Sequence, residues 1–147
     1  MKIILGSDHG GSDYLKEISK LLETMKIEIS TPCGFPFESI DYPDVVKRCV
    51  EDYNKLKADF IILVCGSGVG VSIAANRYEN IRAVLTSNPY QAQLAREHNH
   101  ANCLCFGQRL YGIDQVKEVI KIFINTIGSE DMRHLRRIEK LGDLDNG

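Results

Sequence analysis

The sequence predicts an α/β protein in which a parallel sheet is covered by helices on both faces. Short apolar runs of strand length alternate with longer segments whose apolar residues recur at helical spacing. The short runs are mostly apolar throughout, which is typical of strands buried on both faces. Such alternation produces parallel strands joined by right-handed crossovers. We therefore expect one Rossmann-like domain over residues 1–147, a three-layer α/β/α sandwich with about five parallel strands and a C-terminal helical extension.

Five segments have the length and composition of strands. They cover residues 2–6, 27–30, 59–64, 82–86 and 102–106. Helical spacing is found in residues 14–25, 45–53, 89–98, 113–127 and 132–141, and residues 71–76 resemble the first turns of another helix. Strands and helices therefore alternate along most of the chain.

Charge and composition exclude several classes of partner. A net charge of −2 and an isoelectric point near 6.1 give no electrostatic argument for nucleic acid or a membrane surface. No apolar stretch approaches the roughly 20 residues that a membrane span needs, and the apolar run at the N-terminus is too short for a signal peptide. Five cysteines without a C-x-x-C pair favour free thiols and a cytoplasmic location.

The segment Cys65-Gly66-Ser67-Gly68-Val69-Gly70 is the most informative feature of the sequence. It follows a buried strand and precedes a helix, so unpaired N–H groups and a helix dipole meet beside a thiol. It fits neither the dinucleotide fingerprint nor the P-loop nor the nucleophile elbow. Its structural alternatives are a tight turn and a packed core thiol. The position at a strand end favours a reactive thiolate beside an oxyanion hole.

Polar residues also follow the other predicted strands. Gly6-Ser7-Asp8-His9-Gly10-Gly11 follows the first, Thr86-Ser87-Asn88 the fourth and Gly107-Gln108-Arg109 the fifth. Ligands of parallel sheets bind at the carboxyl ends of the strands, so we expect these groups to converge there. Asp8 has an alternative role as a helix N-cap.

Histidines and arginines outside the strand ends complete the candidate site. His98 closes the fourth helical segment, and we expect it near the same sheet edge, where an imidazole can move protons. A metal cluster of His98, His100 and nearby cysteines is disfavoured, because Cys103 and Cys105 share one face of an apolar strand. Arg133, His134 and Arg137 form either a solvated face or, with Arg109, a phosphate site.

Together these segments resemble the type B ribose-5-phosphate isomerase family, which also contains galactose-6-phosphate isomerase subunits. The resemblance covers most of the chain and includes the segments after the first, third and fifth strands. Further matches are Asp41-Tyr42-Pro43, Asn88-Pro89-Tyr90 with Ala92-Gln93-Leu94, His98-Asn99, and Arg133-His134 with Arg137. The spacing and the order of these matches also fit the family.

The resemblance implies interconversion of ribose 5-phosphate and ribulose 5-phosphate through an enediolate, without metal or cofactor. Cys65 would be the base, and one branch of the family instead has a glutamate where this chain has Val71. His98 would assist ring opening. The implied substrate contacts are the amides of Gly66, Ser67, Gly68, Val69 and Gly70, then Asp8, His9 and Asn99 for the sugar, and Arg109, Arg133, His134 and Arg137 for the phosphate.

The resemblance also implies a homodimer, or a tetramer, whose active sites are shared between subunits. Asp131 precedes Arg133 by two residues and could compete for it. Three other functions stay open: isomerisation of a hexose 6-phosphate such as galactose or allose 6-phosphate, a non-catalytic sugar-phosphate-binding subunit, and a cysteine hydrolase. The hydrolase lacks an evident group to orient His98.

Overall fold

A computed structural model describes residues 1–142 and 144 of the chain, so the domain boundary expected at residue 147 stays a prediction. Strands and helices alternate as expected. The strands are β1 (Lys2–Ser7), β2 (Glu28–Ser30), β3 (Phe60–Cys65), β4 (Ala83–Leu85) and β5 (Cys103–Gly107). The helices are α1 (Ser12–Thr24), α2 (Tyr42–Leu56), α3 (Val69–Ala75), α4 (Pro89–Asn99), α5 (Ile113–Asn125) and α6 (Met132–Gly142).

The five strands form one parallel sheet with the order β2-β1-β3-β5-β4. Helices α1, α4 and α5 cover one face, while α2 and α3 cover the other. Connections that carry the chain toward the β2 edge of the sheet pass over the face covered by α1, α4 and α5. Connections that carry it toward the β4 edge pass over the face covered by α2 and α3. This pattern is expected if all crossovers have the same hand. The predicted three-layer fold is confirmed, including α6 as the C-terminal helical extension.

Side chains of β3 alternate between the two core layers. Ile62 and Val64 face the layer under α1 and α5, whereas Ile61, Leu63 and Cys65 face the layer under α2 and α3. This alternation follows from the two-residue period of a strand. It fixes the side of the sheet on which the Cys65 thiol emerges.

The sheet reverses its direction of winding between β1 and β3. From β1 the chain proceeds to β2 at one edge, then returns to place β3 on the other side of β1. The loops that leave the carboxyl ends of β1 and β3 therefore diverge, which opens a crevice where parallel sheets bind ligands. Ser7 pairs with Val64, and Cys65 pairs with Gly107, so the three strand ends lie at one level.

Within residues 1–142 and 144, no helix has both the length and the apolar composition required to cross a bilayer.

Candidate active site

A cavity of about 310 Å³ opens at the switch point, where β1, β3 and β5 end. Its walls come from the loops after these three strands and from the start of α2. The lining residues are Asp8, His9, Gly10, Tyr42, Cys65, Gly66, Ser67, Gly70, Arg109 and Leu110. The cavity therefore combines a thiol, an imidazole, a carboxylate and a guanidinium.

Cys65 is the last residue of β3, and only 5% of its surface is exposed. The Gly68 amide donates a hydrogen bond to Sγ at 3.0 Å. Gly68 has a φ of +78°, and a Cβ at this position would lie 2.5 Å from Leu85 Cδ1 and 2.6 Å from the Phe106 carbonyl carbon. Glycine is thus required both by the backbone conformation and by the space available, and this turn is what directs an N–H group at the sulfur.

Arg109 brings a positive charge to the cavity wall. Its amide donates to the Gly66 carbonyl at 3.1 Å, which attaches the loop after β5 to the loop after β3. Its guanidinium lies over Gly66, because a Cβ there would be 3.2 Å from Arg109 Cζ. An exposed guanidinium at a cavity rim can bind a phosphate in bidentate geometry.

Tyr42 is a pocket residue that we did not single out from the sequence. It begins α2, after the loop of residues 31–41, and its ring packs on Gly70, where a Cβ would lie 2.9 Å from the ring. The sequence signal was the segment Asp41-Tyr42-Pro43, which contributed to the family resemblance without a role. Gly10 and Leu110 are likewise additional lining residues.

Asp8 adopts a local turn instead of capping α1. Its Oδ1 accepts the Gly10 amide at 2.9 Å, and the N-cap of α1 is Gly11. The alternative role of Asp8 as a helix N-cap is therefore wrong. Its carboxylate and the His9 side chain remain at the cavity wall.

Two of the predicted oxyanion-binding amides already have acceptors. The Gly68 amide bonds to Cys65 Sγ, and the Val69 amide donates to Ser67 Oγ at 3.3 Å. Neither Gly68 nor Val69 lines the cavity. Gly66, Ser67 and Gly70, the other three residues whose amides were predicted to bind the oxyanion, do line the cavity.

His98 does not lie near Cys65 in the same chain, so the prediction that both occupy one sheet edge is wrong. Helix α4 descends from the carboxyl end of β4 to the amino end of β5, and His98 and Asn99 lie in its last turn. Because β5 spans about 13 Å between the two edges, these residues are separated from the pocket by the height of the sheet. A helix that connects two parallel strands runs back across the sheet, so its last residues lie at the amino end of the strand that follows.

His98 instead belongs to a second cluster that includes α6. Its ring stacks on that of His134, with centroids 4.3 Å apart and an interplanar angle of 7°. His134 is buried, and burial together with the neighbouring His98 and Arg133 lowers its pKa. A positive charge close to the His134 ring favours its neutral form.

The arginines of α6 are exposed beside this cluster. Arg133 Nε contacts Asp131 Oδ2 at 3.1 Å, and the Arg133 amide donates to Asp131 Oδ1 at 3.0 Å. These contacts, the amide bond first, lower the pKa of Asp131. Arg137 is exposed one turn further along the helix. Asp131 thus competes for Arg133, as its position in the sequence predicted.

Among residues 1–142 and 144, no three His, Cys, Asp or Glu side chains are arranged to hold a metal ion.

A doubly wound parallel sheet with charged side chains in the crevice at its switch point is typical of α/β proteins that bind small molecules there. The sequence model described as Ribose/Galactose Isomerase matches residues 3–141. The chain belongs to this family, which confirms the resemblance.

Individual relatives agree with the family match. The chain is 37% identical over 146 residues to the putative sugar phosphate isomerase YwlF of Bacillus subtilis, covering 99% of this chain and 97% of the relative. It is 37% identical over 140 residues to ribose-5-phosphate isomerase B of Escherichia coli, covering 95% and 93%. The solved structure of ribose-5-phosphate isomerase B from Clostridium thermocellum is similar with a TM-score of 0.93 and 36% identity, covering 99% and 98%.

Proposed function

We propose that the chain interconverts ribose 5-phosphate and ribulose 5-phosphate through an enediolate, with Cys65 as the base and without a metal or cofactor. The observation that carries this proposal is the Cys65 thiol at the cavity wall with the Gly68 amide on its sulfur. Membership of an isomerase family supports the reaction class. All five cysteines are free, which supports action in the reducing cytoplasm.

The proposed chemistry moves one proton between neighbouring carbons. Once the sugar ring is open, the Cys65 thiolate takes the proton from C2, and the electrons of that bond flow to O1 as the enediolate forms. The thiol then returns the proton to C1, while the hydroxyl proton passes from O2 to O1. A base at a strand end, fixed by the Gly68 amide, suits this transfer because it stays in one position during both steps.

The negative charge that develops on the enediolate needs fixed donors. The Gly66, Ser67 and Gly70 amides serve this purpose in our proposal, since they belong to cavity-lining residues and the other two amides of the loop are engaged. Preorganised amides stabilise such charge without a reorganisation cost. Asp8 and His9, which also line the cavity, then bind sugar hydroxyls.

We further propose that a second copy of the chain completes each site. His98 would assist ring opening and Asn99 would bind the sugar, yet both lie at the far sheet edge within one chain. The exposed arginines of α6 lie beside His98, so one docking event could bring both groups to a neighbouring pocket. Homodimers, or tetramers built from them, satisfy this requirement because a two-fold axis pairs each pocket with the other copy's cluster.

In this arrangement the phosphate would have two sources of positive charge. Arg109 comes from the chain that supplies Cys65, and Arg133 and Arg137 come from the second copy. His134 of the second copy, whose pKa is lowered, would contact the phosphate as a neutral ring. Arginine is suited to phosphate because its planar fork matches two oxygens at once. Exposed apolar side chains near the pocket, such as Ile73 on α3 at 60% exposure, offer contact area for the second copy.

The reaction is tested by incubating the protein with ribose 5-phosphate in D2O and following the sugar by NMR. We expect ribulose 5-phosphate to form, with deuterium entering C1 of the ketose or C2 of the aldose. If the protein turns over galactose 6-phosphate or allose 6-phosphate but not ribose 5-phosphate, its substrate is a hexose phosphate and the proposed pentose substrate is wrong. Binding of ribose 5-phosphate without any turnover would identify a sugar-phosphate-binding subunit.

The role of Cys65 is tested by Cys65→Ala. This variant should bind ribose 5-phosphate with an affinity close to that of the parent and lose proton transfer, by a factor of about 10³ or more. Cys33→Ala is the matched control, because Cys33 is a half-buried free thiol outside the cavity lining. Near-normal turnover in Cys65→Ala would show that another group is the base.

Sharing of the site is tested by mixing two inactive variants, Cys65→Ala and His98→Asn. Half of the dimers formed at random from equal amounts contain one copy of each, and such a dimer holds one intact site out of two. The mixture should therefore regain about a quarter of the parent activity after exchange of subunits. No recovery despite heterodimer formation would place His98 and Cys65 of the same chain in one site.

A further inference from the structure

Gln108 and Tyr14 form a clamp between the loop after β5 and helix α1. Gln108 Oε1 accepts the Tyr14 amide at 3.0 Å, and the Tyr14 hydroxyl donates to the Tyr111 carbonyl at 2.6 Å. Both contacts join positions more than 90 residues apart, at separations of 94 and 97 residues. The short turn of residues 108–111 is thereby tied to α1 at both of its ends.

The Gln108 contact also meets a need of α1 itself. Gly11, the N-cap of this helix, has no side chain to accept an amide, and Tyr14 occupies the third helical position. The first amides of a helix have no acceptor inside the helix. Gln108 therefore supplies from a distant loop the acceptor that a serine or aspartate N-cap would provide locally.

Arg109 lies inside the clamped turn. On one side, the Gln108 amide donates to the Cys65 carbonyl at 2.9 Å, and the Arg109 amide donates to the Gly66 carbonyl. On the other side, the turn is tied to Tyr14. The guanidinium rests over Gly66 at the cavity wall. The clamp thus holds the turn in place relative to both the glycine loop and the segment that carries Asp8 and His9.

We propose that Gln108 and Tyr14 are positioning residues that hold Arg109 at the distance required to bind the substrate's phosphate. The arrangement rests on the proposed function only in that the anion is the phosphate of a sugar phosphate. Neither residue lines the cavity, so both act through Arg109 without touching the substrate. Loss of the clamp leaves the chemistry of the Arg109 guanidinium unchanged but lets the turn that carries it move away from the glycine loop.

The test compares Gln108→Leu with Arg109→Met and with the double variant. Gln108→Leu should raise the KM for ribose 5-phosphate and the Kd for inorganic phosphate, measured by calorimetry, by about fivefold to tenfold, with kcat within about twofold. Tyr14→Phe should raise both by about threefold. In the Arg109→Met background, Gln108→Leu should have no further effect, since the clamp acts through that side chain.

Gln115→Leu is the matched control. Gln115 also makes a side-chain hydrogen bond to the backbone of another element, since its Nε2 donates to the Ser87 carbonyl at 2.8 Å, and this bond involves neither Arg109 nor α1. The proposal would be overturned if the phosphate Kd were unchanged in Gln108→Leu, or if it rose equally in Gln115→Leu. A further loss in the Arg109→Met background would also overturn it, because that would indicate general destabilisation. If the parent protein turns over no sugar phosphate, the proposed function fails, while the phosphate Kd still decides the role of the clamp.

Discussion

Replacing Gly68 by alanine should damage both the fold and the proposed catalytic centre. Gly68 has a φ of +78°, in the left-handed region where a side chain is strained. An added Cβ would lie 2.6 Å from the carbonyl carbon and 2.8 Å from the carbonyl oxygen of Phe106, a fully buried residue of β5. Backbone atoms of a central strand cannot move aside as a flexible side chain could, so the loop must shift.

Two contributions set the size of the effect. The left-handed conformation costs a non-glycine residue about 1–2 kcal/mol, and overpacking against a rigid core costs about 1–3 kcal/mol more. Gly68→Ala should therefore lower the free energy of unfolding by about 2–5 kcal/mol, a large share of the total for a typical domain. A shift of the loop also moves the Gly68 amide away from Cys65 Sγ, and kcat should fall about tenfold or more.

Gly34→Ala separates the two contributions. Gly34 also has a positive φ, +61°, but no atom lies within 4 Å of a Cβ at this position. Urea denaturation of both variants should show a loss of about 1–2 kcal/mol for Gly34→Ala and a further loss of about 1–3 kcal/mol for Gly68→Ala. Equal losses, or unchanged kcat in Gly68→Ala, would refute the inference that the turn is pressed against β5 and holds the thiol.

Three further changes test the charged groups. Asp131→Asn frees the Arg133 guanidinium from its exposed ion pair, and steady-state kinetics should show a KM for ribose 5-phosphate about twofold to threefold lower. Gly66→Ala pushes the Arg109 guanidinium outward, which should raise the same KM several-fold at nearly constant kcat. His134 has a lowered pKa, so the unfolded chain binds more protons as the pH falls through 6.5. Thermal unfolding at pH 5.5 and 7.5 should show a loss of stability at low pH that is smaller in His134→Gln.

The fold could be predicted because the strands are buried on both faces. Burial on both faces makes a strand such as β3 a continuous apolar run, which is visible in the sequence without any knowledge of its neighbours. The order of the strands in the sheet could not be predicted in the same way, since it depends on which face of the sheet each helix covers. The position of β5 between β3 and β4 is one such result, and no local pattern specified it.

The candidate site was only partly predictable for a similar reason. Cys65, Asp8 and Arg109 lie at or just beyond the carboxyl ends of strands, and these ends share an edge in a parallel sheet, so their proximity could be predicted from the sequence. His98 precedes a strand, which places it at the opposite edge. Tyr42 follows a loop without periodic pattern, and its packing on Gly70 depends on how α2 and α3 meet.

Cys65, the proposed base, lies on the same face of the sheet as the two thiols of β5 but at the carboxyl end of its strand. Cys103 and Cys105 lie side by side on β5, facing the layer under α2 and α3, and burial raises the pKa of Cys103. The next residue of β5 on this face is Gly107, which pairs with Cys65. A Cβ at Gly107 would lie 2.5 Å from the Ser67 backbone, so the glycine loop folds across this position only because no side chain is there. The alternation along β5 that buries Cys103 and Cys105 in the core also places Gly107 on the same face. The absence of a side chain at Gly107 leaves room for the loop that holds Cys65 at the cavity.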